Sequence, residues 1–300
     1  MANDVVALFG PTGLGKTSIA IALAERLREN GERPVAVSVD SMQVYRELPV
    51  LTGAVTAGER AALDHRLVGH ISVGDAYDVA QHAKLAHAEI DELRAEGRRV
   101  IVVGGTGLYL RAALTELDLL PPPSEGVRER LEADLAQDGQ AALYARLQAE
   151  EPDLAASIDP NNSRRTIRAL ETLEQGASGA EREENRLWTE DVRVPTRLFA
   201  LVMDRERLYA RIEDRVDEMV ALGAADEVRS ADAIAGRTAR QALGFGELLE
   251  GDVESMKTNT RRYAKRQLTW LRKLPAATRI DVTGRSAGDI AMEIAQQLTD

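Results

Sequence analysis

Gly10, Gly15, Lys16 and Thr17 stand at the spacing G-x-x-x-x-G-K-[ST] within Gly10-Pro11-Thr12-Gly13-Leu14-Gly15-Lys16-Thr17. Glycines at this spacing let backbone N–H groups turn inward around a phosphate, and a helix starting behind them adds its partial positive charge. Lys16 supplies a mobile full charge, and the Thr17 hydroxyl suits a Mg²⁺ ion. A second candidate is Asp40, at the head of Asp40-Ser41-Met42-Gln43-Val44-Tyr45-Arg46. A carboxylate there could be a general base, a metal ligand or only a cap for the following turn. A third is Gly104-Gly105-Thr106-Gly107, whose plainer reading is a tight strand-to-helix turn.

All three must be carried by strand ends. Residues 4–9 form a short apolar run without alternation, as a strand buried on both faces requires. A helix of period near 3.6 follows the phosphate loop and stops at Gly31. Residues 35–39 and 99–103 read as further buried strands, one ending at Asp40 and the other at Gly104, with a helix over 78–96 between them. Strands alternating with helices predict an α/β fold with a doubly wound parallel sheet. In such a sheet the strand C-terminal ends converge on one ligand crevice, which would bring the three loops together.

Pro121-Pro122-Pro123 interrupts this order, and 124–186 is charged and helical in pattern, most polar over 174–185. A strand at 196–203, helices near 205–222, 237–249 and 253–273, a strand at 278–282 and a last helix to 297 complete the chain. We therefore expect a core of 1–120 and 190–300 interrupted by a helical insertion, 121–189.

Composition narrows the chemistry. There are no cysteines, so disulfides, thiolate nucleophiles and Cys-type zinc sites are excluded. No apolar run approaches the ~20 residues of a membrane helix and no leader is visible, so a cytoplasmic chain free of membranes is expected. The net charge of −11 argues against nucleic acid only if charge is spread evenly. It is not. Arg261, Arg262, Lys265, Arg266, Arg272 and Lys273 fall in one helical segment with no acidic residue among them, a pattern that tracks phosphates. Tyr263 and Trp270 in that segment are core anchors or stacking platforms. Arg164, Arg165 and Arg168 form a second cluster, although Glu171 and Glu174 could pair with them along the helix.

Six blocks, GPTGLGKT, DSMQVYR, GGTGLYL, DPNNSRRTIRALE, QALGFGE and RRYAKRQLTWLRK, occur in the order and spacing of the tRNA dimethylallyltransferase (tRNA isopentenyltransferase) family, which the chain resembles from Gly10 to Lys273. The resemblance implies a P-loop NTPase-like sheet and Mg²⁺-assisted transfer of a dimethylallyl group from dimethylallyl diphosphate to N6 of the adenosine 3′ of the tRNA anticodon. It assigns Asp40 as the base, Lys16 and Thr17 to the diphosphate and its metal, and Thr106 to the reacting groups. Ser41, Met42 and Gln43 would border the target base. Arg164, Arg165, Arg168, Gln241, Gly244, Phe245, Arg262, Lys265 and Arg266 would contact tRNA. An arginine from 208–216 would reach the diphosphate; Arg211 is preferred over Arg215. A monomer is expected. The chain departs from the family at 51–66, where relatives carry GTAKP and paired histidines; His65 is given no role.

Two other readings stay open. A related adenylate isopentenyltransferase would use AMP or ADP, but would need neither the insertion nor the basic helix. A P-loop NTPase would show a strand ending in a Walker-B Asp, where the third strand here ends in Gly104-Gly105.

Overall fold

Val5–Phe9 (β1) is buried at every position, and its side chains alternate between two cores. Val6 and Leu8 face Ile19 and Leu23 of α1 (Lys16–Glu29) and Ile290 and Ile294 of α13 (Ala287–Thr299), while Val5, Ala7 and Phe9 face Ala86 and Ile90 of α4 (Val79–Ala95) and Leu110 of α5 (Gly107–Leu114). Two covered faces explain why the strand carries no polar residue.

In a computed structural model describing residues 4–117, 126–176, 187, 189–274 and 276–299, six strands form one sheet in the order β3-β2-β4-β1-β5-β6. The remaining strands are β2 (Pro34–Ser38), β3 (His65–Arg66), β4 (Arg99–Gly104), β5 (Thr196–Val202) and β6 (Thr278–Asp281). Every pairing is parallel. Phe9 pairs with Gly104 on one side and Ala200 on the other, so the chain order reverses at β1 and the crevice opens at its C-terminal end.

The chain divides into two compact units, Met1–Leu117 with Arg186–Asp300, and Asp118–Asn185. The boundary expected at 121, the proline run and the polar stretch 177–185 lie outside the described residues. The smaller unit contains α6 (Val127–Glu150), interrupted by non-helical backbone at Gly139, then α7 (Pro152–Ala156) and α8 (Ser163–Glu174), packed around Leu131, Leu143, Leu147 and Leu170. Glu171 is fully buried there and is held by Arg128 and Arg168.

In the larger unit, a third core gathers beneath residues 42–51, between α2 (Pro49–Thr52), α9 (Arg205–Ala221), α10 (Ala224–Asp232) and α11 (Phe245–Glu250). Short α3 (Ala57–Ala62) opens on a reciprocal cap between Thr56 and Glu59. Long α12 (Val253–Leu271) follows α11. The expected helix over 237–249 is corrected: the segment is a single 3-10 turn, Ala239–Gln241, and then α11, with Gly244 at φ 91 between them. Helix α10 and the two-residue strand β3 carry too few residues for a sequence period to show.

Candidate active site

The phosphate loop connects β1 to α1. Gly15 caps α1 at φ 80, ψ 34, a left-handed conformation that costs any residue with a Cβ about 1–2 kcal/mol. Lys16 Nζ folds back over the loop and donates to the carbonyls of Gly10 and Pro11, both at 2.9 Å. Burial lowers its pKa to about 8; the nearby Arg215 guanidinium acts in the same direction and Asp40 opposes both. An ammonium sharing its surroundings with another cation is one that an incoming polyanion would stabilise.

Asp40 follows β2. Its Oδ1 accepts from the backbone N–H of Met42 at 2.9 Å and of Gln43 at 3.3 Å. One oxygen therefore closes the turn, and neither of these two bonds uses the second. The capping and base readings of Asp40 are compatible, because they use different oxygens. Ser41, Met42 and Gln43 are half-buried beside it. Gln43 Nε2 donates to Gly53 O at 2.9 Å, so this side chain ties the Asp40 loop to the end of α2.

Arg211 and Arg215 both line a cavity of about 390 Å³ with Gly13, Gly15, Asp214 and Glu218. Arg211 is exposed. Arg215 is drawn in: burial lowers its pKa, and Asp40 is the largest of the influences opposing that. The sequence preferred Arg211, whereas Arg215 is the arginine coupled to both Lys16 and Asp40. Arg211 reaches the loop too, its Nη2 standing 3.3 Å from where a Cβ on Gly15 would lie. Gly53, at φ +58, leaves the space that the Arg215 guanidinium fills.

Thr106 caps α5 without a side-chain capping bond, and its Oγ1 meets Tyr263 OH at 3.2 Å. Burial and the charge of Asp40 raise the Tyr263 pKa to about 12, so the phenol stays protonated beside the carboxylate. Trp270 packs against Gly107, where a Cβ would collide with the indole. Both aromatics therefore serve as inward anchors and are not free platforms for bases.

The residues expected to contact tRNA separate into three groups. Arg262, Lys265 and Arg266 are exposed on α12, and among the described residues none of them pairs with a carboxylate. Arg266 lies over the Tyr263 ring at 5.5 Å. Arg261, by contrast, is taken up by Glu213. Arg164 and Arg165 are exposed on α8, but Arg168 pairs with Glu171 at 3.3 Å, so the salt-bridge reading holds for Arg168. Gln241 is exposed, whereas Gly244 is buried and Phe245 is 1% exposed in the third core. The expectation of an RNA contact by Phe245 is corrected to an anchoring role, with Arg240 over its ring.

Among the described residues no group of three or more His, Asp or Glu side chains could hold a metal ion. What the phosphate loop offers a metal is one hydroxyl, that of Thr17 in the first turn of α1, beside whatever phosphate oxygens the loop holds. That set fits Mg²⁺, which keeps several waters and is bound largely through substrate phosphates.

Residues 43–274 match the family model described as IPP transferase. The chain belongs to the IPP transferase family. It is 43% identical over 282 residues to a tRNA dimethylallyltransferase of Anaeromyxobacter sp. strain Fw109-5, covering 90% of this chain and 92% of that one. It is 39% identical over 289 residues to one from Bacillus velezensis, covering 92% and 90%. Among solved structures it is similar to the full-length tRNA isopentenylpyrophosphate transferase of Bacillus halodurans, with a TM-score of 0.71, 35% identity and coverage of 99% and 96%. It is also similar to a eukaryotic dimethylallyltransferase described as acting on tRNA, with a TM-score of 0.79, 25% identity and coverage of 99% and 79%. Gln267, on which Thr12 and Gly105 both converge, is the site residue that sequence reasoning missed.

Proposed function

We propose that this chain transfers a dimethylallyl group from dimethylallyl diphosphate to N6 of the adenosine next to the anticodon of tRNA, releasing diphosphate. The observation that carries the reading is that Lys16, folded over the phosphate loop, lies within electrostatic reach of both Arg215 and Asp40, with two cations for a leaving group and a carboxylate for a proton.

In this reading the diphosphate lies in the Gly10–Thr17 loop. Lys16 Nζ leaves the Gly10 and Pro11 carbonyls for phosphate oxygens. As the C1–O bond of the allyl group breaks, charge builds on the diphosphate, where Lys16 and Arg215 stabilise it. One such preorganised donor is typically worth 10²–10³ in rate. The adenine N6 lone pair forms the new C–N bond, and the N6 proton passes to the free oxygen of Asp40, for about 10²–10⁴ of general-base assistance. Thr106, held by Tyr263, borders the reacting groups. Mg²⁺ held through Thr17 would neutralise diphosphate charge.

The adenine must leave its stack to reach this recess, which an unpaired anticodon loop makes inexpensive. Arg262, Lys265 and Arg266 offer the phosphate contacts, and action on tRNA places the reaction in the cytoplasm. Among the described residues no helix is long and apolar enough to cross a membrane.

The test is incubation of the full chain with radiolabelled dimethylallyl diphosphate, Mg²⁺ and either tRNA or AMP. Label is expected in tRNA alone; label in AMP but not tRNA would overturn the acceptor.

A further inference from the structure

The side chain of Gln267 uses both ends of its amide on two different substrate loops. Its Oε1 accepts from the backbone N–H of Thr12, in the phosphate loop, at 2.9 Å. Its Nε2 donates to the carbonyl of Gly105, in the loop after β4, at 2.8 Å. The two partners settle which atom is which, since one can only donate and the other can only accept. Gln267 is 4% exposed, so water does not compete for either bond. The contact is close as well as polar. A Cβ on Gly105 would overlap Gln267 Nε2, lie 2.9 Å from Gly10 O and stand 3.4 Å from Lys16 Nζ. The Gly105 turn, the phosphate loop, Lys16 and Gln267 therefore meet at one point.

The same helix face supplies the neighbours. Tyr263, one turn earlier, reaches Thr106 at 3.2 Å. Trp270, almost one turn later, packs on Gly107. Three residues at helical spacing thus hold Gly105, Thr106 and Gly107, and only Gln267 extends to the phosphate loop. Glutamine offers a donor and an acceptor on one planar group at this length whatever the pH, whereas Glu does so only when protonated and Asn is a methylene shorter.

We propose that Gln267 is a positioning residue: it holds the loop that cradles the leaving group in register with the loop that borders the acceptor, so that the C–O bond to be broken lies in line with the incoming nitrogen. This rests on the reading of the phosphate loop as the diphosphate site. Each loop still binds its own ligand without the clamp, so the loss falls on alignment and not on affinity. Misplacement of reacting groups by about 1 Å costs on the order of 10²-fold in rate.

The experiment uses the full chain, tRNA and dimethylallyl diphosphate, with the variants Gln267→Met, Gln267→Glu and, as a control, Lys16→Ala. Gln267→Met keeps the shape and loses both bonds; kcat is expected to fall about 100-fold while KM for each substrate stays within threefold. Gln267→Glu keeps the acceptor for Thr12 but sets a carboxylate against the Gly105 carbonyl. Protonation restores a donor at that atom, so its kcat relative to wild type is expected to rise as pH falls from 8 to 5.5. A merely structural role would not produce that recovery. Equal kcat in wild type and Gln267→Met, or a Gln267→Glu ratio independent of pH, would overturn the clamp. Lys16→Ala reports on the underlying reading separately: its KM for dimethylallyl diphosphate is expected to rise, and an unchanged value would overturn the phosphate-loop assignment whatever Gln267 does.

Discussion

Replacing Gly53 with Ala should disable the site from a position outside all three substrate loops. Gly53 sits at φ +58, so an added Cβ meets the left-handed penalty of about 1 kcal/mol. For a chain of this size that lowers the melting temperature by roughly 2–4 °C, which leaves the protein folded at assay temperature. The larger effect is steric. The new Cβ would overlap Nη2 of Arg215 and lie 2.9 Å from its Cζ and 3.1 Å from Met219 Cε, so the guanidinium must leave its seat. With Arg215 displaced, the leaving diphosphate loses one preorganised cation, worth about 10²–10³ in kcat/KM for dimethylallyl diphosphate. Steady-state transfer of labelled allyl group to tRNA measures it, beside Arg215→Gln and the double variant. If Gly53→Ala acts through Arg215, the double variant is no slower than the slower single one. Rates for Gly53→Ala within threefold of wild type, or losses that multiply in the double variant, would refute the reasoning.

Asp40→Asn retains an Oδ1 that can accept from Met42 and Gln43, so the turn is kept while the base is lost. We expect tRNA affinity by filter binding to be unchanged and turnover to fall 10²–10⁴-fold; wild-type turnover would remove Asp40 from the base role. A different variant tests pH-dependent stability. His82 is fully buried between Tyr77 and Tyr109, and burial lowers its pKa to about 4 from an ordinary 6.5, with the nearby His70 and His87 acting in the same direction. The unfolded chain then binds the extra proton first. The contribution is complete above pH 6.5 and is lost as pH falls towards 4, amounting to roughly 3 kcal/mol at about 1.4 kcal/mol per decade. Unfolding curves of wild type and His82→Phe should therefore diverge over that window; parallel curves would contradict the assignment.

The parts of the site that lie on strand ends were legible, because each follows from a local pattern. An apolar run of five residues ending in a glycine loop has few structural solutions, and Asp40 and Thr106 are placed by the same rule at β2 and β4. What was not legible depends on how separate elements meet. Arg211 and Arg215 stand four apart on one face of α9, and no period tells which is drawn inward. Gly53 leaves room for the Arg215 guanidinium, while Arg211 Nη2 would stand 3.3 Å from a Cβ on Gly15, so both reach the cavity at the phosphate loop. Phe245 was assigned to a tRNA-contacting loop, but the turn at Gly244 delivers its ring into the core beneath α12. Gln267 gave no signal of its own, since glutamine is an ordinary helix residue. Only its spacing from Tyr263 and Trp270, four and three residues away, marks it as part of the inward stripe.

That stripe also resolves the puzzle of an acidic protein that acts on a polyanion. A net charge of −11 is a sum over the whole chain, whereas screening limits an exposed phosphate to the charges within about 8 Å at physiological ionic strength. What matters is which cations remain uncommitted. Lys257 is held by Asp217 and Glu254, and Arg261 by Glu213, so the positive charge in the first half of α12 is neutralised, largely by carboxylates of α9. Beyond that point Arg262, Lys265 and Arg266 face solvent, with no carboxylate partner among the described residues, while Tyr263, Gln267 and Trp270 on the adjoining face hold the loop after β4, and Arg266 lies over the Tyr263 ring where the two faces meet. The exposed cations and the residues that hold the loop after β4 thus occupy adjoining faces of one helix. The interval between a phosphate bound by those cations and the loop after β4 would be set by the geometry of the helix, and not by a loop free to change it. A charge placed elsewhere on the surface would alter the net total and leave that interval untouched, which is why the total predicts so little about the partner.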